Sequence, residues 1–162
     1  MIPFLLAAAV AATPPGDPAL RDLGGLDGCW AVTGEVQGKA TRNRVRGNWR
    51  MDGKFMEIAL NSSDAKDAYS AVIPIGAGDK GGELISFWMD STGGRGAAPG
   101  KGKLEADGFT LTFHYPDGDY VNVWRRAGKG WTWTITETTP GKPPVAFAHY
   151  DLTPSGCSIR DR

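Results

Sequence analysis

Asp90 and Glu137 are the side chains of this sequence best placed for acid–base chemistry. Each closes a strand-like run, Trp88-Met89-Asp90 and Trp131-Thr132-Trp133-Thr134-Ile135-Thr136-Glu137. If both runs end at one rim of a sheet, the two carboxylates form a pair. Like charges brought together raise one pKa, so such a pair can serve as general acid and base. It can equally hold a cationic ligand. The plain alternative is two rim carboxylates in water.

Other chemistry has little material. The sequence holds two histidines, His114 and His149, and two cysteines, Cys29 and Cys157. No ligands are spaced for a His-mediated metal site, so neither a metal nor a cofactor is implied. There is no Gly-x-Ser-x-Gly elbow, no phosphate-cradling glycine loop ahead of a helix, and no Cys-x-x-Cys. The glycine-rich segments 76–82 and 93–102 join strands and read as loops. Arg42, Arg44 and Arg46 share one face of a strand. They are either an anion-binding ridge or a solvated outer face that discourages strand pairing.

The elements that must position these groups are clearest from Gly108 to Gly141. Three alternating runs, Phe109 to Tyr115, Tyr120 to Arg126 and Trp131 to Thr138, read as a strand meander. Asp117-Gly118 suggests a type I′ hairpin turn. That turn would pair Tyr115 with Tyr120, Phe113 with Asn122 and Leu111 with Trp124. A turn at Gly128-Lys129 pairs Arg126 with Trp131, Trp124 with Trp133, Asn122 with Ile135 and Tyr120 with Glu137. Asp107-Gly108 would pair Leu104 with Leu111. Paired residues share a face. One wall then carries Phe109, Leu111, Phe113, Tyr115, Tyr120, Asn122, Trp124, Arg126, Trp131, Trp133, Ile135 and Glu137. The other carries Thr110, Thr112, His114, Val121, Val123, Arg125, Thr132, Thr134 and Thr136. The first suits a concave interior and the second suits solvent.

About ten strands are expected over 29–37, 39–50, 54–62, 67–75, 82–90, 100–106, 109–115, 120–126, 131–138 and 145–152. Their even spacing, with no helical periodicity after residue 25, predicts an all-β, antiparallel up-and-down barrel. Asp17-Pro18 starts one short helical turn, Ala19 to Leu23. In such a barrel Cys29 and Cys157 fall at one end, the floor, on adjoining first and last strands, so a disulfide between them is expected. Asp90, Tyr115, Tyr120 and Glu137 fall at the other end, the mouth. The interior faces of 82–90 and 145–152, and so the side of His149, stay open.

The 162 residues are 41% hydrophobic and 22% charged, enough for one domain with its own core. Eighteen basic residues balance eighteen acidic ones, which disfavours a non-specific nucleic-acid binder. Residues 1–12 are apolar and end in small residues, as a cleaved secretory signal does, and are too short to span a bilayer comfortably. The domain plan is therefore a signal peptide (1–12), a linker and short helix (13–25), a barrel (26–157) and a tail (158–162). A periplasmic or secreted location follows, and it fits a disulfide.

Gly28-Cys29-Trp30 opens the first strand, and this G-x-W after a short helix resembles the start of lipocalin and calycin barrels. With Leu26 to Trp30, Asp52-Gly53-Lys54-Phe55, Trp88 to Ser91 and the meander, the chain resembles a lipocalin-like family of exported bacterial proteins. The resemblance implies an internal cavity, with the Trp88–Asp90 face of 82–90 turned into it, and no catalytic residues. It also implies an arginine packed across the G-x-W tryptophan, a role open to Arg126 on Trp30. Haem-binding barrels related to this superfamily use a histidine near the C-terminus, a place His149 could fill, although its flanking residues do not match.

Four functions compete. A small-molecule binder would use Trp88, Asp90, Tyr120, Asn122, Trp124, Trp133 and Glu137 around a largely apolar or aromatic ligand. A protein-binding or inhibitor module would use the mouth loops, above all 91–100. An enzyme would use Asp90 and Glu137. A haem protein would use His149.

Overall fold

The computed structural model describes residues 16–64, 66 and 68–157. The expected signal peptide and C-terminal tail lie outside the described residues. Asp17 caps a 3-10 helix, Pro18–Leu26, its carboxylate accepting the Ala19 N–H at 3.0 Å. Proline fits the first turn because its missing N–H has no helical partner there. The helix is longer than the expected single turn and buries Leu20, Leu23 and Leu26.

Ten strands follow: β1 (Gly28–Val36), β2 (Lys39–Arg50), β3 (Phe55–Ser62), β4 (Ser70–Ala77), β5 (Glu83–Asp90), β6 (Ala98–Glu105), β7 (Gly108–Tyr115), β8 (Gly118–Ala127), β9 (Gly130–Thr138) and β10 (Val145–Ser155). Each pairs antiparallel with the next, and β10 pairs with β1, so the sheet closes into a barrel. Closure removes the exposed edges that an open sheet would carry. The Cys29–Cys157 disulfide forms beside this seam, across 128 residues of sequence, with a Cα–Cα distance of 5.2 Å.

The β8–β9 register is the expected one, with Trp124 opposite Trp133, Asn122 opposite Ile135 and Tyr120 opposite Glu137. The two hairpins before it are shifted by two residues. Phe113 pairs with Tyr120, Leu111 with Asn122 and Phe109 with Trp124, and Leu104 pairs with Phe109. The two-residue turns are Pro116-Asp117 and Ala106-Asp107, because Gly118 and Gly108 are already the first residues of strands. Proline fixes φ near −65°, which a type I′ turn excludes and a type I turn requires at its second position, with glycine common at its fourth. The glycines are there for close approach. A Cβ on Gly108 would lie 1.9 Å from the Trp124 carbonyl oxygen, and one on Gly118 would lie 2.7 Å from that of Thr138. A shift of two keeps every side chain on its face, so Leu111, Phe113 and Trp124 are buried inside as expected.

The helix plugs the floor. Trp30 Nε1 donates to Leu26 O at 2.9 Å, Trp131 Nε1 to Gly25 O at 3.1 Å and Arg126 Nη2 to Asp22 O at 2.8 Å. The Arg126 guanidinium stacks on Trp131, 4.8 Å from the ring centroid, rather than across Trp30 as the resemblance implied. The reason is register: Arg126 and Trp131 are directly paired. Arg42 and Arg44 are exposed on the outer face of β2, and Arg46 Nε there donates to Asn48 Oδ1 at 2.9 Å. Among the described residues no helix is long and apolar enough to cross a membrane.

Candidate functional site

Aromatic packing sets how deep any cavity can reach. Phe109, Trp124 and Trp133 sit side by side on β7, β8 and β9 and stack, with centroids 5.5 and 4.3 Å apart. All three are fully buried. They fill the middle of the barrel, as side chains do in a barrel of modest size. Above them, at the mouth, space opens in two lobes.

The first lobe has a volume of about 230 Å³, with walls that include Tyr69, Trp88, Phe113, Tyr115 and Tyr120, and polar groups from Asp90, Asp117 and Asn122. The second, of about 420 Å³, reaches Val36, Asn43, Leu60, Trp133 and Tyr150, with Lys39 among its lining residues. Tyr69, Trp88, Asp90, Ile135 and Phe147 border both lobes.

Asp90 organises this end. Its Oδ2 accepts Trp88 Nε1 at 3.0 Å and the Tyr69 hydroxyl at 3.1 Å, and its Oδ1 accepts the Thr92 N–H at 2.9 Å and the Thr92 hydroxyl. Burial pushes the carboxyl up, but the Thr92, Trp88 and Tyr69 donors together outweigh it and hold it below the ordinary carboxylate range. Trp88 is thereby fixed edge-on to Phe113, at 5.4 Å. The Trp88–Asp90 face is interior, as the resemblance implied, and Phe87 and Met89 of the other face are exposed.

Asn122 is 2% exposed and borders the first lobe. Its Oδ1 accepts Trp133 Nε1 at 2.8 Å, and its Nδ2 donates to Tyr120 O at 3.1 Å. The buried amide thus has its partners, as a buried polar group must.

All four tyrosines of the chain border one lobe or the other. Each has its pKa raised, first by burial. Tyr115 and Tyr150 reach about 12. Asp90 adds to the shift at Tyr69 and Tyr115, and Glu137 and Asp117 add to it at Tyr120. The Tyr115 hydroxyl donates to Gly96 O at 3.0 Å, tying the 91–97 loop to the barrel.

Of the residues expected to touch a ligand, Trp88, Asp90, Tyr120, Asn122 and Trp133 border the cavity. Trp124 does not; it lies one layer deeper, between Phe109 and Trp133. Glu137 is not on either wall; its charge bears on the Tyr120 hydroxyl from β9. Asp90 ends β5 and Glu137 lies near the end of β9, four strands away round the barrel, each beside its own partners. His149 is on the outer face of β10, its Nε2 3.5 Å from Asp151 Oδ1, so it cannot ligate a haem held in either lobe. His114 is also outside, with Nδ1 2.8 Å from Asp119 Oδ1. Among the described residues no three His, Cys, Asp or Glu side chains converge as metal ligands.

Several wall residues escaped the sequence reading, Tyr69 and Phe147 among them. Tyr69 directly precedes β4, in the segment expected to be strand from 67. Phe147 borders both lobes because the β9–β10 register slips between Ala146 and Ala148. The bulge turns Phe147 inward beside the buried Ala148, which strict alternation forbids. The loop ahead of it, 139–144, is irregular and gives the sequence no anchor for the phase.

No family model matches the chain, and no curated protein matches it. Among solved structures it is similar to the crystal structure of Rv2717c from M. tuberculosis. The TM-score is 0.61 at 15% identity, over 86% of this chain and 99% of that one. At that identity the likeness concerns the fold.

Proposed function

We propose that this protein is an exported, lipocalin-like barrel that binds a small, largely apolar or aromatic ligand in the mouth cavity. The observation that carries the reading is the two-lobed space above the Phe109–Trp124–Trp133 stack. It is concave, rich in aromatic side chains and furnished with a few fixed polar groups, which is the ordinary make-up of a small-molecule site. Entry is from the mouth, since the floor is closed by the helix, Trp30, Trp131 and Arg126. The glycine-rich 91–97 loop at that rim is largely exposed, and such loops admit ligands by moving. Export is supported by the apolar N-terminal run and by the disulfide, which persists in oxidising compartments.

The test is mass spectrometry of small molecules retained after native purification, together with titration of a neutral naphthylamine fluorophore. Retention of a compound, or fluorophore binding that Asn122→Leu weakens and Arg44→Ala leaves alone, supports the reading. Empty protein that binds no apolar probe, or binding that Arg44→Ala abolishes while Asn122→Leu is silent, defeats it.

A further inference from the structure

The first lobe differs from the second in both ring geometry and charge. Tyr115 and Tyr120 meet nearly at right angles, 79° with centroids 5.3 Å apart. Tyr120 and Phe147 do the same at 89° and 5.1 Å, and Trp88 and Phe113 at 73° and 5.4 Å. Rings set edge to face present π-faces in several directions around one small space. That is the geometry of an aromatic box, whose ring quadrupoles attract an organic cation.

The charge on this lobe has one sign. Asp90 and Asp117 border it, and among the described residues no lysine or arginine does. Glu137 adds its charge from behind Tyr120. Asp90 accepts four hydrogen bonds, all from uncharged donors: Tyr69, Trp88 and Thr92 twice. Its charge is thereby fixed in place without being neutralised. Burial is the first cause of the raised tyrosine pKa values, and the carboxylates of Asp90, Asp117 and Glu137 add to it at the hydroxyls beside them. The contrast within the cavity is Lys39, which borders the second lobe and not the first.

We infer that the first lobe takes the cationic head of an organic ligand, a quaternary ammonium or protonated amine, while the second lobe takes the apolar remainder. This rests on the container reading above and narrows it to a ligand class. The recognising groups are the π-faces of Trp88, Tyr115, Tyr120 and Phe147, with Asp90, Asp117 and Glu137 supplying the field.

Three probes of similar shape separate charge from size: phenyltrimethylammonium, its neutral isostere tert-butylbenzene, and the anion benzenesulfonate. Each is used to displace the neutral naphthylamine fluorophore from the intact protein. The expected result is displacement by the ammonium at a concentration about tenfold or more below that of tert-butylbenzene, with the sulfonate weakest. Asp117→Asn combined with Glu137→Gln should cut the ammonium's advantage severalfold and leave tert-butylbenzene unchanged. Both positions are off the hydrogen-bonded Asp90 network, so the barrel should persist, and circular dichroism confirms that it has. Equal displacement by the ammonium and tert-butylbenzene, or a preference for the sulfonate, overturns this inference and leaves the container reading standing. An ammonium advantage that survives the double substitution also overturns it. Failure of the fluorophore itself to bind takes both down.

Discussion

The hydrogen bond between Asn122 and Trp133 is the sharpest point at which to break this barrel. Asn122 is 2% exposed and Trp133 fully buried, and their contact is 2.8 Å long. In Asn122→Leu the indole N–H of Trp133 loses its partner. An unsatisfied buried donor costs about 1–3 kcal/mol, partly offset by the apolar surface of leucine. Trp133→Phe strands the Asn122 carbonyl instead and thins the stack on Trp124, for roughly 2–4 kcal/mol. With both changes made, neither polar end remains to be left unpaired. The double variant should therefore be more stable than the sum of the singles predicts, by about 1–2 kcal/mol. Urea denaturation of the four proteins, followed by far-ultraviolet circular dichroism, closes the cycle. In a chain of this size each 1 kcal/mol is worth roughly 2–4 °C in Tm, which gives an independent reading. If the two substitutions add to within about 0.5 kcal/mol, the bond contributes nothing measurable and the β8–β9 register argument loses its energetic support.

Replacing Cys29 and Cys157 by alanine should cost up to about 5 kcal/mol, from the loop of 128 residues closed in the unfolded chain, and should steepen the urea dependence. A loss under about 1 kcal/mol would sink that account. The four tyrosines should resist ionisation while the protein is folded. Their folded pKa values lie above the ordinary 10.0, so the unfolded chain releases these protons first. Stability from this source is whole below pH 10 and falls as pH climbs towards 12. Tyrosinate absorbance that grows in at pH 10 without unfolding would contradict it. At the floor, a Cβ on Gly25 would sit 2.5 Å from Arg126 Nη1. Gly25→Ala should then cost about 1 kcal/mol by dislodging the guanidinium from Trp131 and Asp22, and almost nothing where Arg126 is already methionine. Equal costs in the two backgrounds, measured by urea denaturation, would show that the arginine does not hold the plug.

Alternation alone determined much of this protein. Residues two apart share a face, so one pair across each turn was enough to assign the inner wall of β7, β8 and β9. That assignment survived a register error of two at Asp107-Gly108 and Asp117-Gly118, because an even slip moves side chains along the barrel and not through it. Strand parity also brought Cys29 and Cys157 to one end. The β8–β9 register was legible, but those of the two Asp-Gly hairpins were not, since an Asp-Gly pair serves a type I′ turn or the end of a type I turn equally well. What separated the two was the closeness of the neighbouring backbone to Gly108 and Gly118, a non-local fact. The bulge that turns Phe147 inward depends on how β10 must fit β9. That Asp90 and Glu137 lie four strands apart round the barrel depends on strand order and closure. The depth of the cavity was decided last, by how far three stacked rings fill the barrel, and ring stacking is a property of packing across strands that no single strand encodes.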